Sequence, residues 1–413
     1  MYHPKYFDTN NSYIATLIIM NPIRKFTLRQ VISILLKRQF IVGVYVLMAV
    51  IAALKQYLHH SFNNYLIFKY VYWHASSMQN LYADYTEYLD SNHYGPLFAI
   101  LIAPFAILPD SIGTILWNIF NVIILLWGIY SLPISIHKRS VIAWICAHET
   151  LTALFSFQFN IALTGTIILS CSSMIKKKEV QSAFFIAFGT LIKLYGIVGL
   201  AFFFFTKNKM KLIVAGLAAL LLLFALPMLI SSPTFIINSY QDWYHSLVHK
   251  NATNASLRSF QDISLMGMFR RISGNVNIPN SPFLIGGVLL FALPYLRIKQ
   301  YKHLAFKLML LASTLLFTVI FSSGSESPTY IIAFAGVAIW FVVQPNPKSS
   351  LTVSLFIFAF ILTSLSPTDI FPKAVKEFIR LYSLKALPCI IIWLTIIYQM
   401  MKEDFESYLI ADK

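Results

Sequence analysis

The sequence predicts an all-α fold, a polytopic bundle of membrane helices, on three observations. Hydrophobic residues make up 58% of the 413 and charged residues 12%, with a mean hydropathy of +0.68. Soluble domains of this size are neither so apolar nor so poor in charge. Apolar runs recur from about residue 40 to about residue 401, each near the ~20 residues a span needs, or shorter where helices break inside a bundle. Basic residues sit in short connectors between the runs instead of forming one patch.

In chain order, residues 1–39 form a basic, polar leader carrying Arg24, Lys25, Arg29, Lys37 and Arg38. No cleavable signal peptide is visible, and the apolar stretch from Phe40 has the character of a retained signal anchor. Candidate spans follow at 40–57, 97–109, 111–133, 141–157, 161–175, 180–206, 212–231, 283–296, 304–321, 329–343, 351–365 and 386–401. Prolines at 96, 104, 109, 133 and 227 kink or end helices. The expectation is one transmembrane domain over 40–401, with about eleven to thirteen membrane segments, and a cytoplasmic tail over 402–413.

Orientation follows from the connectors Lys138–Arg139, Lys176 to Lys178, Lys207 to Lys211 and Arg297 to Lys302, because Lys and Arg mark the cytoplasmic side. The leader is then inside, and the loops 58–95 and 232–281 are outside. Segment 180–206 crosses twice as a hairpin broken near Lys193, or dips back. Segment 97–109 either crosses, leaving Lys138 and Arg139 outside, or is re-entrant. The expected location is a multi-pass protein of the inner (plasma) membrane with its active face outward.

The same distribution removes nucleic acid as a partner despite a net charge of +16. Cys146, Cys171 and Cys389 lie in apolar runs without pairing or metal-ligand spacing. No phosphate-cradling Walker motif, nucleotide-binding glycine pattern or His/Cys metal motif is present. The expectation is therefore no cofactor and no metal, with membrane lipids as the surroundings and a donor delivered by the membrane.

The most informative stretch is the first outer loop. Only 16 Asp and Glu occur in the chain, yet Asp84, Glu87 and Asp90 fall within seven positions. If 79–90 is helical, Asp84 and Glu87 are neighbours at i,i+3. They would take a proton from an acceptor hydroxyl or bind a cation, unless they only solvate an interfacial helix. Tyr94-Gly95-Pro96 suits an abrupt helix start.

The outer loop 232–281 carries Lys250, Arg258, Arg270 and Arg271, whose guanidinium groups suit a phosphate headgroup or anionic lipid. His148 and Glu149 lie ~15 Å of helix beyond Arg139, near mid-bilayer, and Lys193 lies ~22 Å beyond Lys178, near the outer side. Ionisable groups in such places are expensive and default to a functional hypothesis. Tyr195 accompanies Lys193. Gln158 and Asn160 would bind a polyol or satisfy a helix end. Glu326, in the Ser322–Pro328 turn, would be a second acid or a sugar-hydroxyl acceptor.

These segments resemble the polytopic glycosyltransferases related to the actinobacterial polyprenol-phosphate-dependent mannosyltransferases and arabinofuranosyltransferases, a branch of the C-type (GT-C) superfamily. The matching pieces are Asn64-Tyr65-Leu66-Ile67-Phe68, Asn80-Leu81-Tyr82, Tyr94-Gly95-Pro96-Leu97 with Ala103-Pro104-Phe105, and Leu116-Trp117-Asn118. Further on come Gln158-Phe159-Asn160, Ile192-Lys193-Leu194-Tyr195, Ser264-Leu265-Met266-Gly267 and Ser327-Pro328. The run Asn63–Tyr70 also resembles a Bacteroidetes-type subgroup.

The resemblance implies inverting transfer of one sugar from a polyprenyl-phosphate sugar donor to a lipid-linked or glycan acceptor of the cell envelope, on the outer face. It also implies an aspartate base where this chain has Asn64, and a His shortly after Ser-Pro where it has Thr329 and Tyr330. Either the base has moved, with Asp84, Glu326 and Asp90 the candidates, or activity is lost. Asn64, Tyr94, Gln158, Asn160, Lys193, Tyr195, Arg258, Arg270 and Arg271 are then the expected substrate-binding set. A transporter or flippase of lipid-linked sugars is the competing expectation. It would show repeat symmetry between halves, which the sequence lacks.

Overall fold

The computed structural model describes residues 28–254, 256–257 and 259–408, and among them the chain is helical with no strand. Arg24, Lys25, Arg258 and the tail from 409 lie outside the described residues. Four helices are long and apolar enough to cross a membrane: Arg38–Leu58, Asp110–Ser131, Lys209–Leu229 and Leu384–Lys402. Shorter apolar helices complete the bundle.

A short amphipathic helix α1 (Leu28–Leu35) leads into α2 (Arg38–Leu58). Then come α3 (Asn63–Ser76), α4 (Phe98–Ala106), α5 (Asp110–Ser131), α6 (Ile136–Phe155) and α7 (Asn160–Ile175). Hydrogen bonds gather their connectors. Trp144 donates to the Leu35 carbonyl at 2.9 Å, Arg139 to Tyr130 at 3.0 Å and Lys176 to Ser131 at 2.5 Å. Arg38 lies over the Tyr130 ring at 5.1 Å. These cations thus share one basic end of the bundle, as the charge rule requires. At the opposite end, Gln56 donates to the Phe155 carbonyl at 2.7 Å.

The two alternatives for 97–109 resolve here. The helix α4 spans Phe98–Ala106, or ~14 Å, under half of a ~30 Å hydrocarbon core. Both its flanks touch α3. Phe98 packs on Phe68 with ring centroids 5.1 Å apart, and Asp110, just beyond α4, pairs with Lys69 at 2.6 Å. α4 therefore starts and ends at the same end of the bundle, and α5 carries the chain to the basic end. Lys138 and Arg139 obey the charge rule.

Segment 180–206 is the broken hairpin. α8 (Glu179–Ile192) ends at Lys193, whose backbone is extended at φ −148°, ψ 123°, and a 3-10 helix Leu194–Phe205 returns. Lys193 Nζ donates to Asn160 at 2.8 Å, while Thr206 Oγ1 donates to Glu179 at 3.5 Å, so the turn and the open ends lie at opposite ends of the bundle. The limbs touch at Gly189 and Gly196. A Cβ on Gly196 would stand 2.1 Å from the Gly189 carbonyl carbon, so only glycine allows this approach.

The chain continues through α9 (Lys209–Ala225), α10 (Pro233–Asn254), α11 (Leu265–Ser273), α12 (Ser281–Ala292) and α13 (Leu304–Ile320). It ends with α14 (Tyr330–Val343), α15 (Ser350–Ala359) prolonged by a π-helical turn Phe360–Leu365, α16 (Lys373–Leu381) and α17 (Leu387–Lys402). α13 and α14 are buried almost throughout and form the centre. α9 exposes Leu217, Leu221 and Leu222 and reads as a lipid-facing crossing.

Two expectations fail at the end opposite the basic connectors. Residues 79–90 are not helical. Asn80 Oδ1 accepts the Tyr82 amide at 2.8 Å, and Asn63 bonds both backbone groups of Leu89 at 2.7 Å. Such side-chain bonds compete with helix formation, and Asp84 and Glu87 do not share a helix face. Secondly, the stretch 232–281, expected as a loop, contains the 22-residue α10. Its start signals are ordinary, with Ser232 Oγ accepting the Phe235 amide at 3.2 Å and Pro233 in the first turn.

Candidate functional site

A cleft of about 450 Å³ opens at the end opposite the basic connectors, where α3, the 90–94 segment, the α6–α7 turn, the α8 break, α10 and the 322–326 turn converge. The α6–α7 turn is tight. Phe157 has φ +51°, and its carbonyl accepts from Trp117 Nε1 at 2.8 Å. This presents Gln158 to the cleft and starts α7 at Asn160. The extended residue between α8 and the 3-10 helix places Lys193 there, and Tyr195 follows two residues on, in the first turn of that helix.

A chain of polar contacts spans the cleft. Lys193 donates to Asn160 Oδ1 at 2.8 Å, Asn160 Nδ2 to Gln158 Oε1 at 2.8 Å, and Gln158 Nε2 to Glu326 Oε2 at 3.4 Å. The other Glu326 oxygen accepts from Gln261 Nε2 at 3.1 Å. Lys193 also stands 5.5 Å from the Tyr94 ring centroid and 5.0 Å from that of Tyr195, so two aromatic faces hold its charge. Tyr195 Oη and Ser322 Oγ are 2.5 Å apart. The Glu326 side chain also caps the 327–329 turn; beyond these partners its carboxylate keeps acceptor capacity, and the ammonium keeps two N–H groups beyond Asn160.

Burial pushes the Glu326 carboxyl above its ordinary value, against the pull of Lys193 and then Lys250. Asp90 is in the opposite state. His93 first, then the Ser91 amide and Lys250, hold it below the usual carboxylate range. Its oxygens lie 3.0 and 3.2 Å from Lys250 Nζ, and 3.8 Å separates it from His93 Nε2, an ion-pair distance beyond hydrogen-bond reach. Asp90 has φ +70°, a left-handed conformation that an aspartate adopts more readily than most residues.

Of the residues singled out in sequence, the cleft gathers Asn64, Asp90, Tyr94, Gln158, Lys193, Tyr195 and Glu326, with Asn160 buried directly behind. Asn64 Nδ2 donates to the Ser156 carbonyl at 2.9 Å. Asp84 stands apart, exposed on a neighbouring cleft. Arg270 is buried, binding Asp262 at 2.5 Å and the Ile278 carbonyl at 2.9 Å. Arg271 donates to the carbonyls of Ser259, Gln261 and Arg380. Both arginines serve the loop's interior and do not line the cleft. Arg258 lies outside the described residues.

Sequence reasoning did not single out Gln261 or Ser322 as site residues, and it marked Asn254 only as part of a glycosylation sequon, yet all three line the cleft. Nor did it single out Lys385, which pairs with Glu149 at 3.2 Å behind the Ser327 turn. No local signal marks Gln261, whose role depends on a partner far along the chain. A lysine just before the apolar run 387–402 was the available sign of Lys385.

Residues 92–323, more than half of the chain, match the family model described as Glycosyltransferase family 87. No curated protein matches the chain. Among solved structures, a similar chain is the crystal structure of ArnT from Cupriavidus metallidurans bound to undecaprenyl phosphate. Its identity is 14%, over 89% of this chain and 77% of that one, with a TM-score of 0.38.

Proposed function

The chain belongs to glycosyltransferase family 87, and we propose that it moves a single sugar from a polyprenyl-phosphate sugar to a hydroxyl of a lipid-linked or cell-envelope acceptor. The observation that carries this reading is one cleft holding a cation and a carboxylate at its two sides, Lys193 and Glu326, linked only through neutral amides. In this reading Glu326 takes the proton of the acceptor hydroxyl. The acceptor oxygen bonds to the anomeric carbon, and the bond from that carbon to the phosphate oxygen breaks. The electron pair leaves on the phosphate, whose charge Lys193 stabilises. A single displacement inverts the anomeric centre. Asp90, already satisfied by Lys250, is the weaker base, and Asp84 is outside the cleft.

The charge rule supports reading the basic end as cytoplasmic and the cleft as facing outward. Cysteines introduced at 85 and 250 should then react with an impermeant thiol reagent from outside, and one at 177 should not. For the donor, purified protein should consume a polyprenyl-phosphate sugar and ignore free nucleotide sugars. Full activity with a nucleotide sugar alone would remove this reading.

A further inference from the structure

The helix α10 is a wall between two clefts. Leu247, Asn251 and Asn254 face the cleft of Glu326 and Lys193. Asp242, His245, Ser246, His249 and Thr253 face a second cleft of about 510 Å³, which Asn80, Tyr82 and Asp84 close from the other side. Those α10 positions recur at steps of three and four, which is one face of a helix. A helix face turned toward protein or lipid would be apolar there; this one is polar along its length. The two clefts share Asp90, Ser91, His93 and Lys250, so the Asp90–Lys250 pair, at 3.0 Å, stands on their boundary.

We propose that the second cleft binds a neutral, polyhydroxylated saccharide. Asp84 and Asp242 form no ion pair among the described residues. Asp242 Oδ2 accepts from Asn80 Nδ2 at 3.1 Å, which orients the carboxylate and leaves most of its acceptor capacity open. Two carboxylates with open lone pairs suit the paired hydroxyls of a sugar. They also repel a phosphorylated or carboxylated ligand, and the one lysine present is already held by Asp90. His245, His249, Ser246 and Thr253 supply donors and acceptors of either polarity, and Tyr82 offers a phenol ring. No aliphatic side chain larger than Ala83 lines this cleft, so a lipid tail finds no apolar wall. That this saccharide is the acceptor, with its hydroxyl reaching Glu326 past the Asp90–Lys250 boundary, rests on the transfer reading above.

The test uses the full-length protein in detergent and saturation-transfer NMR with maltose, cellobiose and mannobiose as probes, and glucose 1-phosphate as the anionic control. At least one disaccharide should bind in the millimolar range, with the anionic sugar at least about tenfold weaker. Asp84→Asn combined with Asp242→Asn should weaken that binding about tenfold or more while melting within a few degrees of the parent. If those substitutions perturb melting, Thr253→Trp, which fills the same cleft from an exposed position, should abolish binding instead. The proposal is overturned if no disaccharide binds, if the anionic sugar binds as well, or if neither cleft change matters. Transfer from a polyprenyl-phosphate sugar, with the bound disaccharide or a membrane-lipid extract supplied as acceptor, is measured separately. Its absence in the unmodified protein would sink the transfer reading while leaving saccharide binding at this cleft standing.

Discussion

Two lysine–carboxylate regions meet at the 322–329 turn, and they are built oppositely. Glu326 and Lys193 face an open cleft and reach each other only through Asn160 and Gln158. One residue further on, Ser327 gives its carbonyl and hydroxyl to Lys385 at 3.2 and 2.9 Å, and Lys385 is locked onto Glu149 at 3.2 Å with both side chains buried. The residue types are the same, yet availability differs. Where the charges satisfy each other directly they fix the back of the turn; where neutral amides intervene, both keep capacity for a ligand. Residue type does not distinguish a site from a strut here. The partner does.

The largest effect is expected from Glu326→Gln. If the open carboxylate is the base, transfer should fall by ~10²–10⁴ with donor binding kept, read by single-turnover assay and lipid-donor titration. The pH dependence gives an independent check. A base works deprotonated, so activity should be lost as pH falls through the Glu326 value, which lies above the ordinary 4.5. That limb should vanish in the variant. Full activity in Glu326→Gln would end the assignment. Next in size, Lys385→Met strands Glu149 as an unpaired buried charge and should cost ~3–5 kcal/mol of stability. Lys385→Met with Glu149→Gln should recover part of it. Unfolding that matches the parent in the single variant would mean the sealed pair is not a strut.

The bundle was largely legible because spans are long, local and apolar. Even the break at Lys193 shows as a charge inside an apolar run. What sequence could not supply was long-range pairing. Asn63 bonds the backbone of Leu89, 26 positions away, and that contact helps keep 79–90 from being a helix. Arg270 and Arg271 have the chemistry of phosphate binders, but the loop folds them onto Asp262 and onto carbonyls. Gln158, Asn160, Lys193 and Glu326 each stood out singly, as polar residues at apolar ends. That they form one chain of contacts depends on helices brought together from residues 158 to 326. The match of α10 to its start signals shows a different failure: Ser232-Pro233 was readable, and the polarity of the stretch hid it.

A smaller effect is expected at the lysine of the open cleft. Lys193→Met keeps the length and the contact with Tyr94 and Tyr195 but removes the ammonium. It should weaken use of a phosphate donor by one charge-assisted hydrogen bond, ~1.5–3 kcal/mol, raising KM for the lipid donor more than it lowers kcat. An unchanged KM would place the phosphate elsewhere.

The smallest expected effect comes from Asn64→Asp, the position where the resembled glycosyltransferases carry their acid. In this chain the Asn64 amide donates to the Ser156 carbonyl at 2.9 Å, so the side chain is a tie between α3 and the turn that presents Gln158. A carboxylate has no proton to give that carbonyl and would face it with like partial charge. Stability should drop by about 1 kcal/mol, at the low end for a lost partner beside a wet cleft, and activity should change by less than about tenfold. The decisive version is made in the Glu326→Gln background. If position 64 can only brace the turn, Asn64→Asp restores nothing there. If it restores tenfold or more, a carboxylate on α3 reaches the acceptor hydroxyl, and Glu326 would share the base's task instead of holding it alone.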